Sequence, residues 1–95
     1  MALPSFLQGC LASYDLKKID EKRDKKIIIT EILNKGDDIA IKWLGQNYTQ
    51  NEIKEAVRSP IRGMWLSSVL RYWLAIFDIK IPQDVFQKAT INLNP

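Results

Sequence analysis

Apolar residues along this chain return every three or four positions, and the helical period is plainest from Met64 to Asp78. There Trp65, Leu66, Val69, Leu70, Trp73, Leu74 and Phe77 lie on one broad stripe, and Tyr72, Ala75 and Ile76 fill much of the other side. A helix apolar nearly all round is expected to be central and covered by its neighbours. A first long helix is expected from Asp20, a good N-cap residue, to Lys35, with Ile28, Ile32 and Leu33 turned inward and Gly36 as a left-handed C-terminal cap. The run Ile27-Ile28-Ile29-Thr30 would also suit a strand, but the charged turns before it and the length of the segment favour helix. Asp37 or Asp38 caps a second helix from Ile39 to about Tyr48, with Trp43 and Leu44 on its inner face and Gly45 weakening its last turn. Thr49 followed by Glu52 is a capping-box pattern opening a third helix through Ile53 and Val57, which closes before Pro60. Pro82 starts a short last helix, Gln83 to about Thr90, burying Val85, Phe86 and Ala89.

These elements define an all-α fold, a single compact bundle of five or six helices with a buried central C-terminal helix. At 95 residues the chain makes one domain, with residues 1–19 as an N-terminal arm and 91–95 as a tail. Apolar residues at 46% support a packed core and exclude a disordered chain.

Composition then narrows the chemistry. With no His, the commonest general base and metal ligand is missing. Cys10 is the only cysteine, so neither an internal disulfide nor a thiolate metal cage can form, and the favoured reading is a small buried hydrophobe. Ser67-Ser68 have no base near them in sequence, Asp37-Asp38 suit the positive end of a helix, and Gly9, Gly36, Gly45 and Gly63 stand singly instead of forming a phosphate loop. The expectation is a non-catalytic protein with no metal and no cofactor. The first ten residues lack a basic start and a sustained apolar run, and Arg71 interrupts the most apolar stretch, so no signal peptide or membrane span is expected. One unpaired thiol fits the cytoplasm.

Net charge is +3, with eight basic and seven acidic residues before position 49 and six and four after it. Three clusters are candidate sites. Lys17, Lys18, Lys22, Arg23, Lys25 and Lys26 could contact phosphates, but Asp15, Asp20, Glu21 and Asp24 interleave with them; Glu21 and Lys25 also form a favourable i,i+4 pair, so a solvated face is the better account. The helices on either side of Gln46-Asn47-Tyr48-Thr49 resemble a helix-turn-helix unit, whose reader helix would present Gln50, Asn51, Lys54 and Arg58 to operator DNA. Glu52 and Glu55 on that helix would repel phosphate, and plain three-helix packing gives the same pattern. Arg62, Trp65 and Arg71 are the residue types that dominate protein interfaces, and they gather around the central helix. Trp73 reads as core, whereas Trp65 at the helix entrance suits core and interface equally.

Leu3-Pro4-x-Phe6-Leu7, Tyr14-Asp15, Ile19-Asp20, Ile28-x-x-x-Ile32-Leu33-Asn34-x-Gly36, Trp43-Leu44 and Tyr48 form a longer signature. With Arg62-Gly63-Met64-Trp65 and Val69-Leu70-x-Tyr72-Trp73-Leu74-x-Ile76-Phe77, it resembles a family of small bacterial helical domains of unassigned function. Proteins of that kind are often encoded beside abortive-infection-type nucleotidyltransferase toxins. The resemblance implies an antitoxin-like partner that binds and neutralises a cognate toxin protein. A helix-turn-helix transcriptional regulator is the alternative, and self-association into a homodimer a third reading.

Overall fold

The computed structural model describes residues 3–91. A short 3₁₀ helix, Ser5–Gly9, leads into five α-helices: α1 (Lys25–Lys35), α2 (Asp38–Asn47), α3 (Gln50–Arg58), α4 (Ser67–Ile76) and α5 (Gln83–Ala89). Among the described residues there is no strand; Trp65 and Thr90 form one isolated parallel bridge. The fold is therefore all-α, as the periodicity predicts.

The central helix is α1, not the C-terminal one. Six consecutive residues of α1, Ile28 to Leu33, are buried, because α2, α3 and α4 all pack against it. The expected central helix, Met64–Asp78, is shorter, Ser67–Ile76, and only Leu70 in it is fully covered. Its apolar circumference exceeds what its neighbours cover. The arm before α1 contributes Leu3, Leu7, Cys10 and Leu11 to the same core. Of the tail expected over 91–95, only Ile91 lies within the described residues.

Local chemistry sets the boundaries. Asp20 was expected to start the first helix; instead its carboxylate accepts from the backbone N–H groups of Lys22 and Arg23 (2.8 and 2.7 Å), while its own N–H donates to Asp24. These bonds hold residues 21–24 as a separate turn, and the helix proper follows at Lys25. The same bonds keep the Asp20 carboxyl below its usual range, and the Arg23 guanidinium does so for Asp24. Lys25 pairs with Glu52 across α1 and α3 at 3.2 Å and not with Glu21, its expected partner. Asp37 caps α2 by accepting from the Ala40 N–H, and Thr49 with Glu52 forms the full reciprocal capping box on α3.

Gly36 does not adopt the left-handed cap expected of it. Its φ of −72° and ψ of 147° are extended. Glycine is required there by space, since a Cβ would lie 2.5 Å from the Ile32 carbonyl oxygen and 3.1 Å from the Ala40 Cβ. The left-handed cap falls instead at Asp78, with φ of 53°. Around it the Ile79 N–H donates to the Leu74 carbonyl (2.9 Å) and the Asp78 N–H to that of Ala75 (3.2 Å), the paired bonds of a Schellman ending.

Candidate functional site

α4 carries the surface features that distinguish one side of this molecule. The chain enters it through an extended segment, Met64–Leu66, held at the C-terminal end of α1. Asn34 brackets that segment: its side-chain amide donates to the Met64 carbonyl (2.8 Å), and its carbonyl oxygen accepts from the Leu66 N–H (3.2 Å). Trp65 lies between them, and its own N–H and C=O bond to Ala89 (3.0 Å) and Ile91 (2.7 Å). Further along, the Trp73 indole N–H donates to the Leu33 carbonyl at 3.3 Å, while its ring stacks on Phe77 and meets Tyr72 edge-on. Thus α4 is pinned to α1 along its inner side.

Its outer side is open. Ser68, Arg71, Tyr72, Ala75 and Ile76 are all exposed, Tyr72 at 57% and Ile76 at 55% of their full surface. Tyr72 and Ile76 are four apart and share a face with half-buried Val69. Leu66, just before the helix, is also exposed. Scattered apolar residues on a surface are ordinary, but two large ones in register on one helix form a small patch.

The three expected interface residues separate here. Trp65 is fully buried, so it anchors the core and presents no surface to a partner. Arg62 and Arg71 are exposed, and the Arg71 guanidinium lies 5.2 Å from the centre of the Phe86 ring on α5. Tyr72 and Ile76, read from the sequence as the far side of a covered helix, are the residues that come to the surface. Their signal was available: a chain this short has few helices to enclose one that is apolar on every side.

The expected reader helix is α3, joined to α2 by Tyr48 and Thr49 and packed with its buried face on α1. Gln50, Asn51 and Arg58 are exposed, but Lys54 turns towards α4, its ammonium 6.0 Å from the Phe77 ring centre. The acidic residues are engaged locally, Glu55 with Arg58 at 2.8 Å and Glu52 with Lys25. Hydrogen bonds from the Thr49 N–H and then Lys25 hold the Glu52 carboxyl below its usual range. The groove between α1 and α3 is consequently spanned by an ion pair. Beside it, Tyr48 donates its hydroxyl to the Glu21 carbonyl at 2.8 Å, and burial, with Glu21, Glu52 and Asp20 nearby, pushes its pKa up to about 12.

Cys10 is buried and unpaired. Burial first, then Asp37 and Glu31, push its thiol pKa up, so it stays protonated as a packing residue. No group of three or more acidic or cysteine side chains among the described residues is placed to hold a metal ion. None of the described helices is long and apolar enough to cross a membrane.

Fold and surface together define a small all-α domain with an exposed apolar patch on its fourth helix. The chain belongs to DUF6922, a family of unknown function, whose model matches residues 10–57, just over half of it. That match takes in α1, α2 and most of α3 and ends before α4. No curated protein and no solved structure matches the chain.

Proposed function

We propose that this protein is a non-catalytic binding module that docks on a protein partner through the outer face of α4. The observation carrying this reading is the exposure of Tyr72 and Ile76, in register on a helix whose inner side is already pinned to α1. With a little over half of each side chain still in water, a partner surface would recover roughly 1–1.5 kcal/mol from each. Arg71 beside them adds a residue type favoured at interface centres. The resemblance to antitoxin-like domains names the partner class, a nucleotidyltransferase-type toxin.

The test is co-expression with the product of the adjacent gene, which this reading requires to be a nucleotidyltransferase-type toxin. The protein should restore growth and co-purify with the toxin at fixed stoichiometry. Tyr72→Ser with Ile76→Ser should weaken the complex at least about tenfold, somewhat less than the two burial terms together. Absence of both rescue and complex overturns the reading.

A second reading, a DNA-binding regulator, draws on the exposure of Gln50, Asn51 and Arg58 on α3 and the two-residue connection before it. Against it, α3 carries Glu52 and Glu55 beside Lys54 and Arg58, so the helix has no net charge to draw phosphate. A gel shift with the protein's own promoter at two salt concentrations decides it: salt-sensitive sequence-specific retardation supports the regulator, and none at low salt removes it.

A further inference from the structure

All four ion pairs among the described residues lie between positions 23 and 58: Arg23–Asp24, Lys25–Glu52, Lys35–Glu31 and Arg58–Glu55. Beyond Arg58 the described chain holds Arg62, Arg71, Lys80 and Lys88 against Asp78 and Asp84, none of them paired. Two of these cations border one groove. It runs between α4 and α5, holds about 370 Å³, and is lined by Arg71, Lys80, Leu74, Ile79, Ile81 and Phe86, with Gln83 at its edge. Neither Asp78 nor Asp84 lines it. The groove thus joins an aliphatic floor to two uncompensated positive charges, unlike the α1–α3 groove, whose Lys25 is neutralised by Glu52.

Arg71 is also held ready. Its guanidinium lies over the Phe86 ring, a contact that restricts the side chain while leaving its in-plane N–H groups free for a carboxylate. An oxyanion bound this way gains charge-assisted, bidentate hydrogen bonds at reduced entropic cost. Phosphate would satisfy the same cations, but the floor is mostly aliphatic and its one aromatic face is already taken by Arg71, so bases have little to stack on.

We infer that the α4–α5 groove receives an acidic, apolar segment of the protein partner, with Arg71 and Lys80 holding its carboxylates and Leu74, Ile79 and Ile81 its aliphatic side chains. The inference rests on the binding-module reading and adds the chemistry of what is bound. The chain in its native form, ¹⁵N-labelled, is titrated with three probes: a capped peptide of alternating Asp and Leu, its Asn-for-Asp counterpart, and a single-stranded oligothymidine. The acidic peptide is expected to shift the amides of Leu74, Ile79, Lys80, Ile81 and Phe86 and the Arg71 Nε–H, and the Asn peptide to bind at least about tenfold more weakly, the worth of one charge-assisted bond. Arg71→Gln with Lys80→Gln should abolish the difference between the peptides, whereas Lys17→Gln with Lys18→Gln should change nothing. Both pairs of positions are exposed, and unchanged thermal unfolding confirms that each variant is folded. Equal binding of the two peptides, shifts outside the groove, or preference for the oligothymidine overturns the inference. Toxin binding without peptide binding sinks the groove alone. Peptide binding without toxin binding sinks the toxin assignment and leaves the groove standing.

Discussion

Asn34 is the residue on which the attachment of α4 to the core turns, and replacing it gives a quantitative test of the fold. Asn34→Ala removes two hydrogen bonds at once, those to the Met64 carbonyl and from the Leu66 N–H. Met64 is half-buried, so its carbonyl loses a partner where water reaches it poorly, at a cost of about 1–2 kcal/mol; Leu66 is exposed, and losing its bond costs nearer 0.5–1 kcal/mol. Together these predict a loss of roughly 1.5–3 kcal/mol, or a fall in Tm of about 6–20 °C for a domain of this size. Urea unfolding followed by tryptophan fluorescence measures it. Asn47→Ala is the control, because the Asn47 amide bonds only the Trp43 carbonyl one turn back on an exposed surface, and its loss should cost less than about 0.5 kcal/mol. Asn34→Asp sharpens the test. One carboxylate oxygen can still accept from the Leu66 N–H, but the other then faces the Met64 carbonyl. That variant should be at least as unstable as Asn34→Ala at neutral pH and should recover when acid protonates the carboxyl, giving it a donor again. If Asn34→Ala unfolds within about 0.5 kcal/mol of the native chain, the bracket does not hold α4 in place and the argument fails.

Other substitutions test separate points. Gly36→Ala should destabilise by about 1–3 kcal/mol in chemical denaturation, because the new Cβ meets the Ile32 carbonyl at 2.5 Å; an unchanged midpoint would show that the backbone yields there freely. Asp78→Gly should raise Tm by a few degrees. It relieves a left-handed backbone worth about 1 kcal/mol and removes a negative charge from a helix C-terminus, against a smaller loss from the freer unfolded chain. Tyr48 should ionise well above the ordinary tyrosine range when absorbance near 295 nm is followed upward in pH. Its pKa is raised in the folded state to about 12, so its contribution is complete below the ordinary value near 10 and is lost as pH rises from there through about 12. Tyr48→Phe should flatten that alkaline decline, and an unaltered pH profile would count against burial of the Tyr48 hydroxyl beside Glu21, Glu52 and Asp20 as its source.

Much of this fold was legible because its signals are local. The Asp37 cap, the Thr49–Glu52 box and the stop before Pro60 each depend on residues within one turn, and all three form as their spacing implies. What periodicity could not reveal is which apolar helix the others enclose. Ile28 to Leu33 lie at the meeting point of three helices, while α4, more apolar by composition, meets fewer covering surfaces. The bracket by Asn34 joins residues 30 and 32 positions apart and leaves no local trace. Gly36 differs: its constraint is local, but it comes from the Ile32 carbonyl and the Ala40 methyl closing on an extended backbone, which residue type alone does not distinguish from a left-handed cap. At the candidate surface, Arg71 was visible as a residue type, but its seat on Phe86 and the lone cation Lys80 beside it depend on how α5 folds back.

Pairing Trp65 with Thr90 also predicts an order of assembly. Helices α1 to α3 are joined by connections of two residues each, so their mutual contacts close small loops and can form early. Trp65 must wait: α4 and α5 have to come round and lay Ala89 and Ile91 against it before its backbone is satisfied. The backbone around the most deeply buried indole in the chain is therefore expected to close after the α1–α3 contacts. In a rapid-mixing experiment on a chain with Trp43 and Trp73 replaced by Phe, the Trp65 emission would time that step.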